Sequence, residues 1–279
     1  MNTRIIVDST ADLMPEYKAR VQIVPLTVNF GDQEYIDGVT IDHKTFYEKL
    51  VESDVLPTTS QATPDAFAKE FDKVKEAGDS AVVVTLSGKF SGTYQSATIA
   101  AEDYENIYVV DSGSAAMGSG ILVELAFMLL EKGFSAKEIA ERLEEEKKKI
   151  VVVALVDTLE YLKKGGRVSK TVAFAGSVLN IKPVISVIDG EIQMLGKARG
   201  SKMGNNLLVQ QIDKAGGIDF TRPVLLGYSG LSDVLLKKYI EDSRYIWEGN
   251  LKEVRYTAVG SVIGTHAGPG AVVVAFFKK

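Results

Sequence analysis

The chain has 279 residues and a formal charge of −5, from 32 Lys and Arg against 37 Asp and Glu, with no cysteine, two histidines and one tryptophan. Without cysteine there is no disulfide framework, thiolate zinc site, iron–sulfur cluster or cysteine nucleophile. Two histidines argue against a multi-histidine metal centre, and a net negative chain without a long basic block argues against a phosphate-backbone binder. No metal, no other cofactor and no nucleic-acid partner are therefore expected, and the length suits one large or two modest domains.

The first apolar run, Ile5-Ile6-Val7, stops at Asp8, too short for the core of a signal peptide. The longest greasy stretches, residues 121–130 (interrupted by Glu124) and 271–277, fall short of the ~20 residues of a membrane-spanning helix. A soluble, cytoplasmic protein is expected, with transient contact with a membrane surface left open.

In chain order, short β-branched runs alternate with polar turns and helix-like patterns. Ile5-Ile6-Val7 leads into Asp8-Ser9-Thr10, Ala81-Val82-Val83-Val84 into Thr85-Leu86-Ser87-Gly88, and Tyr108-Val109-Val110 into Asp111-Ser112. Residues 151–156 lead into Asp157-Thr158, and Val224-Leu225-Leu226-Gly227 into Tyr228-Ser229-Gly230. Near-continuous apolar strands suit a sheet covered on both faces, and alternation with helices suggests parallel pairing in the first half. Helix starts are marked by Asp42 before residues 44–51, by Thr63-Pro64-Asp65 ahead of Phe67, Phe71 and Val74, and by the capping box Ser135-Ala136-Lys137-Glu138. The charge run over residues 141–149 reads as a solvated helix face.

A boundary after Lys147-Lys148-Lys149 divides the chain into residues 1–150 and 151–279. The second part reads as α+β with a mixed or antiparallel sheet. Residues 183–188 and 191–195 flank Asp189-Gly190 as a hairpin, and residues 253–256 and 271–277 add two strands. The fold class is α/β with two domains, the first carrying a mainly parallel sheet.

Standard catalytic motifs are absent. No G-x-G-x-x-G follows a strand, Ser87-Gly88-Lys89 does not fit the phosphate-loop register, and no G-x-S-x-G elbow exists. What stands out is hydroxyl clustering in turns. Thr58, Thr59, Ser60 and Thr63 precede one helix; Ser87, Ser91, Thr93 and Tyr94 precede another. Hydroxyls beside free helix-start amides make an uncharged anion site at the carboxyl ends of strands. They serve equally as caps and turn formers. Residues 259–271 place His266 among four glycines and Pro269, the most irregular segment of the chain. Gly165-Gly166-Arg167 with Lys170, and Arg199 with Lys202, form two basic turns that suit an acidic partner or plain solvation.

Together these segments resemble the DegV family. The matching motifs are Asp8-Ser9-Thr10-Ala11-Asp12, Thr59-Ser60-Gln61, Leu86-Ser87, Phe90-Ser91-Gly92-Thr93-Tyr94-Gln95-Ser96-Ala97, Gly165-Gly166-Arg167 and Ile263-Gly264-Thr265-His266-Ala267-Gly268-Pro269-Gly270. They run in register from the first strand to the last. Ala62 departs from the proline expected after T-S-Q in many members. The family comprises bacterial fatty-acid-binding proteins, including the lipid-binding subunit of fatty acid kinase. The resemblance implies a non-enzymatic carrier that buries one long-chain fatty acid and presents its carboxylate to a separate ATP-dependent kinase. The acyl phosphate would then pass to phospholipid synthesis. By motif, the ligand-binding residues are Thr59, Ser60, Ser91, Gly92, Thr93 and His266, with His266 assisting phosphoryl transfer. Arg167, Arg199 and Lys202 are kinase-docking candidates. Residues 172–179 and Met194 are candidates for the tunnel wall. Hydroxyls in place of arginine would hold the head group. The rival readings are a serine esterase or acyl-transfer enzyme using Ser91 and His266, and a binder of a small phosphate ligand.

Overall fold

A computed structural model describes residues 2–168 and 180–279. The first half runs β1 (Thr3–Asp8), α1 (Pro15–Lys18), β2 (Gln22–Val24), β3 (Thr27–Phe30), β4 (Gln33–Ile36), α2 (His43–Glu52) and β5 (Thr58–Ser60). It continues through α3 (Pro64–Glu76), β6 (Ser80–Thr85), α4 (Thr93–Ala101), β7 (Ile107–Asp111), α5 (Met117–Glu131) and α6 (Ala136–Glu146). After a 3-10 turn (Lys147–Lys149) come β8 (Ile150–Leu155), α7 (Glu160–Lys164), β9 (Ile181–Ile188), β10 (Glu191–Arg199) and α8 (Gly200–Lys214). The chain ends with β11 (Leu225–Tyr228), α9 (Val234–Asp242), α10 (Arg244–Trp247), β12 (Tyr256–Ala258), α11 (Ser261–Ala267) and β13 (Val272–Phe277).

Four strands form a fully parallel sheet in the order β2-β1-β6-β7, with Ile6 opposite Val83 and Val83 opposite Val109. β6 is buried along its whole length, which explains its unbroken apolar sequence. Six strands form the second sheet, β10-β9-β8-β13-β11-β12. All its pairings are antiparallel except β11 with β12. The strand expected over residues 253–256 thus begins at Tyr256 and runs parallel to its neighbour. Asp189 and Gly190, both at positive φ (52° and 77°), make the tight turn of the β9–β10 hairpin.

The greasy stretch over residues 121–130 belongs to α5, which lies between the two sheets and is buried almost all round. Its one buried carboxylate, Glu124, is 1 % exposed and accepts from Arg255 Nη2 at 2.6 Å. One core cluster therefore joins both halves, including Ile5, Val82, Ile121, Leu225 and Phe277. Among the described residues no helix is long and apolar enough to cross a membrane. The read caps are in place: Thr63 accepts from Ala66 N, Asp42 from Thr45 N, and Ser135 with Glu138 closes a capping box.

Two segments differ from the sequence reading. Residues 58–60, read as a hydroxyl-rich turn, are the edge strand β5 of a small antiparallel sheet, β4-β3-β5, with Thr59 opposite Val28. Three residues are too few to show a strand period. Residues 261–267, read as an irregular glycine segment, are the two-turn helix α11, with Gly260 at its start and Gly268 (φ 69°) at its end. Its internal glycine is required by packing. A Cβ on Gly264 would stand 2.5 Å from Tyr47 Oη and 2.8 Å from a Phe46 ring carbon.

Candidate functional site

A cavity of about 410 Å³ lies beside α11, within the roughly 300–1,000 Å³ range of ligand pockets. One wall comes from adjacent strands of the mixed sheet: Val152 and Ala154 of β8, Ile185 and Val187 of β9, Val273 of β13. Pleating sends alternate residues of each strand to this face. Ala115 and Ala116 close the side next to α5. Ala116 holds φ 52°, a left-handed conformation costly for a residue with a Cβ. Ala116 N donates to Thr10 O, and Ala116 O accepts from Asp12 N. Met194, expected in the wall, packs against the shared core and is not among the described lining residues, whereas Ile192 of the same strand is. Residues 172–179 and Lys170 lie outside the described residues.

The polar end is assembled from four separate segments. Thr59 sits in the middle of β5 and His266 in the last turn of α11, with Thr59 Oγ1 2.9 Å from His266 Nε2. Ser91 and Gly92 come from the loop before α4, and Arg167 from the turn after α7. Ser91 Oγ lies 2.9 Å from Thr93 Oγ1 and accepts from Thr93 N at 3.3 Å. Thr93 is fully buried and also accepts from Ala62 N. Thr93 therefore backs Ser91 and is not itself among the described lining residues. Ser60 and Gln61 line the exposed rim, with Ser60 Oγ accepting from Asn29 Nδ2 and Gln61 Nε2 donating to Ser96 Oγ. Gly92 allows Gln61 this position, since a Cβ there would stand 2.2 Å from Gln61 Oε1.

Arg167 turns inward. Its Nη1 donates to Gly165 O at 2.6 Å and its Nε to Phe90 O at 3.3 Å, which leaves the guanidinium half-buried in the lining. Expected as a kinase-docking residue, it is the one side chain of fixed charge among the described lining residues. Arg167 thus stands beside Thr59 and Ser91 at a polar end where hydroxyls without an arginine were expected. A Gly-Gly-Arg turn reads as solvated in sequence, and only the packing of α7 against α11 reveals its direction. Arg199 and Lys202, by contrast, are exposed at the start of α8.

Burial, and secondarily the Arg167 charge, push the His266 pKa down to about 4. The imidazole is neutral near pH 7, so it hydrogen-bonds there without adding charge. His266 Nδ1 is buried without a partner among the described residues and lies against Gly165, where a Cβ would stand 2.2 Å away. This arrangement does not support the esterase reading. The imidazole nitrogen that a serine nucleophile needs is engaged by Thr59, Ser91 is engaged by Thr93, and among the described residues no carboxylate bonds Nδ1.

The Asp8-Ser9-Thr10-Ala11-Asp12 turn anchors two motifs of the polar end. Asp8 Oδ2 accepts from Leu86 N at 2.7 Å, at the root of the Ser91 loop. Asp12 Oδ1 accepts from Gly260 N at 2.9 Å, at the root of α11. Burial raises both carboxyl pKa values, that of Asp8 to about 6, against the lowering effect of those hydrogen bonds. Sequence reasoning recognised the motif without this role, because both partners are backbone amides far along the chain.

The DegV family model, described as "Uncharacterised protein, DegV family", matches residues 2–279. A DegV domain-containing protein of Caldanaerobacter subterraneus is 35% identical over 99% of this chain and 98% of its own length. Among solved structures, a DegV family protein from Thermus thermophilus described for fatty acid binding superposes with TM-score 0.88 at 31% identity, covering 99% of this chain and all of that one. A stearic acid-binding protein from Eubacterium ventriosum gives TM-score 0.85 at 30% identity over 100% and 99% of the two chains. The chain belongs to the DegV family.

Proposed function

We propose that the protein carries a long-chain fatty acid, with the acyl chain along the β8–β9–β13 wall and the carboxylate at the Thr59–Ser91–His266–Arg167 end. The observation that carries this reading is an apolar cavity whose described lining bears one fixed charge, Arg167, set among hydroxyls and a neutral imidazole. The fatty acids held by DegV relatives support it. Each buried methylene contributes ~0.8 kcal/mol, enough over an acyl chain to exceed the cost of association. The carboxylate accepts from Arg167 and from the Ser91 or Thr59 hydroxyl, charge-assisted bonds stronger than neutral ones. A carboxylate near His266 also favours its protonated form, so loading raises the imidazole pKa.

The carrier presents this carboxylate to a separate ATP-dependent kinase, which forms the acyl phosphate destined for phospholipid synthesis. Phosphoryl chemistry belongs to the kinase and its metal. His266 orients the carboxylate during transfer, and the exposed Arg199 and Lys202 dock the kinase. The test is direct: denature the purified protein, extract it and identify the extract by mass spectrometry. About one fatty acid per chain supports the carrier; folded protein that holds none and takes up no palmitate overturns it. Charge reversal at Arg199 and Lys202 should slow acyl-phosphate formation and leave lipid content unchanged.

A further inference from the structure

A second cavity of about 570 Å³ opens on the other face of β8. Pleating that sends Val152 and Ala154 to the first cavity sends Val151 and Val153 here, where they form an apolar floor with Leu195. The two cavities share only Ser186 and Val187 of β9 among the described residues. Four lysines converge on the rim from three places: Lys147 and Lys148 of the 3-10 turn, Lys214 at the end of α8, and Lys278 after β13.

Lys147 is tied down, donating to Asp111 O at 2.7 Å and pairing with Glu144 at 2.6 Å. Lys148, Lys214 and Lys278 have no carboxylate partner among the described residues, and Asp189 is the one acid in the described lining. Some exposed lysines of the chain are paired, as in Lys69–Asp65 and Lys237–Asp233; what sets this groove apart is that several lysines from separate segments meet over one apolar floor. Its carboxylates outnumber its cations. Like charges drawn together in such a chain repel one another until an anion joins them.

We propose that this groove is a second binding site, for an anionic amphiphile whose head carries more than one negative charge. Ammonium groups suit a phosphate as point-charge donors. The floor takes a short alkyl segment. A simple fatty carboxylate, with one charge, is the poorer match here, which separates this site from the first cavity.

The probe is octyl phosphate, titrated calorimetrically into protein saturated with carboxyl-labelled palmitate, with palmitate release followed by NMR. Protein as purified, without added palmitate, is titrated in parallel, so the outcome does not depend on the carrier reading. Octyl phosphate is expected to bind without releasing palmitate. A variant combining Lys148→Glu with Lys214→Glu should bind it about tenfold more weakly or worse. Octyl sulfate, with a single charge, and inorganic phosphate, without the alkyl segment, should each bind more weakly than octyl phosphate. The proposal is overturned if octyl phosphate fails to bind, displaces palmitate mole for mole, or binds the double variant equally well. Equal affinity for inorganic phosphate removes the apolar floor from the account and overturns it too.

Discussion

The apolar wall of the first cavity is carried by three adjacent strands of one sheet, β9, β8 and β13, whereas its polar end gathers β5, the loop before α4, the turn after α7 and the end of α11. The wall is held by strand register, so its residues are set by pleating and by ladder hydrogen bonds. The polar end is held by single long-range ties: Asp8 to Leu86, Asp12 to Gly260, and the close approaches of Gly264 to Tyr47 and Gly165 to His266. The contrast assigns different properties to the two regions. The wall should set how strongly and how much chain is held, and the polar end should set which head group is accepted.

The largest expected effect is on the wall. Ala154→Trp fills cavity volume that acyl carbons would occupy. Displacing about four methylenes at ~0.8 kcal/mol each weakens palmitate binding by about a hundredfold, for acid and alcohol alike. Equilibrium binding of palmitate and hexadecanol to the variant, with its melting curve as a control for folding, checks this. Equal loss for both ligands supports the division; a loss confined to the acid breaks it.

Next is the pH dependence of stability. The unfolded chain protonates His266 near its ordinary value of 6.5, the folded chain only near 4. As pH falls through that window the unfolded state binds the extra proton, so this group's contribution to stability is present above about 6.5 and lost progressively toward 4. The loss reaches roughly 3 kcal/mol at most. Asp8, whose pKa is raised to about 6, acts in the opposite sense. Its folded form takes up a proton first as pH falls, relieving its burial cost between about 6 and 4. Denaturant melts of wild type and His266→Gln across pH 4–7 separate the two. The stability difference should be constant near pH 7 and shift against the wild type on acidification.

Arg167→Met removes the one fixed charge of the lining. The expected cost is about 2 kcal/mol for palmitate and close to none for hexadecanol, measured as a ratio of the two affinities. The smallest effects belong to Ser91→Ala and Thr59→Val. Each removes one hydroxyl hydrogen bond, about 1 kcal/mol or fivefold in palmitate affinity. Both should again spare the alcohol.

This contrast also explains what was legible in sequence. The parallel sheet announced itself through unbroken β-branched runs such as Ala81-Val82-Val83-Val84, and the hairpin through Asp189-Gly190, because those signals are local. Thr63, Asp42 and Ser135 marked helix starts for the same reason. The polar end was legible only as residue types. Thr59, Ser91 and His266 stood out as hydroxyls and a histidine, yet the strand under Thr59 and the helix under His266 were missed. β5 is defined by its pairing with β3, and α11 by glycines that read as breakers until Tyr47 is packed against one of them. The inward turn of Arg167 depends on Phe90 and Gly165 carbonyls that no spacing rule connects.

The central claim is the direction in which the ligand lies, and a crystal structure of the palmitate complex tests it. The account predicts carboxylate oxygens about 2.6–3.2 Å from Arg167 and from Thr59 Oγ1 or Ser91 Oγ, with the chain along Val152, Ala154 and Val273. Palmitate bound with its methyl end against His266, or seated only in the lysine-rimmed groove, would contradict it.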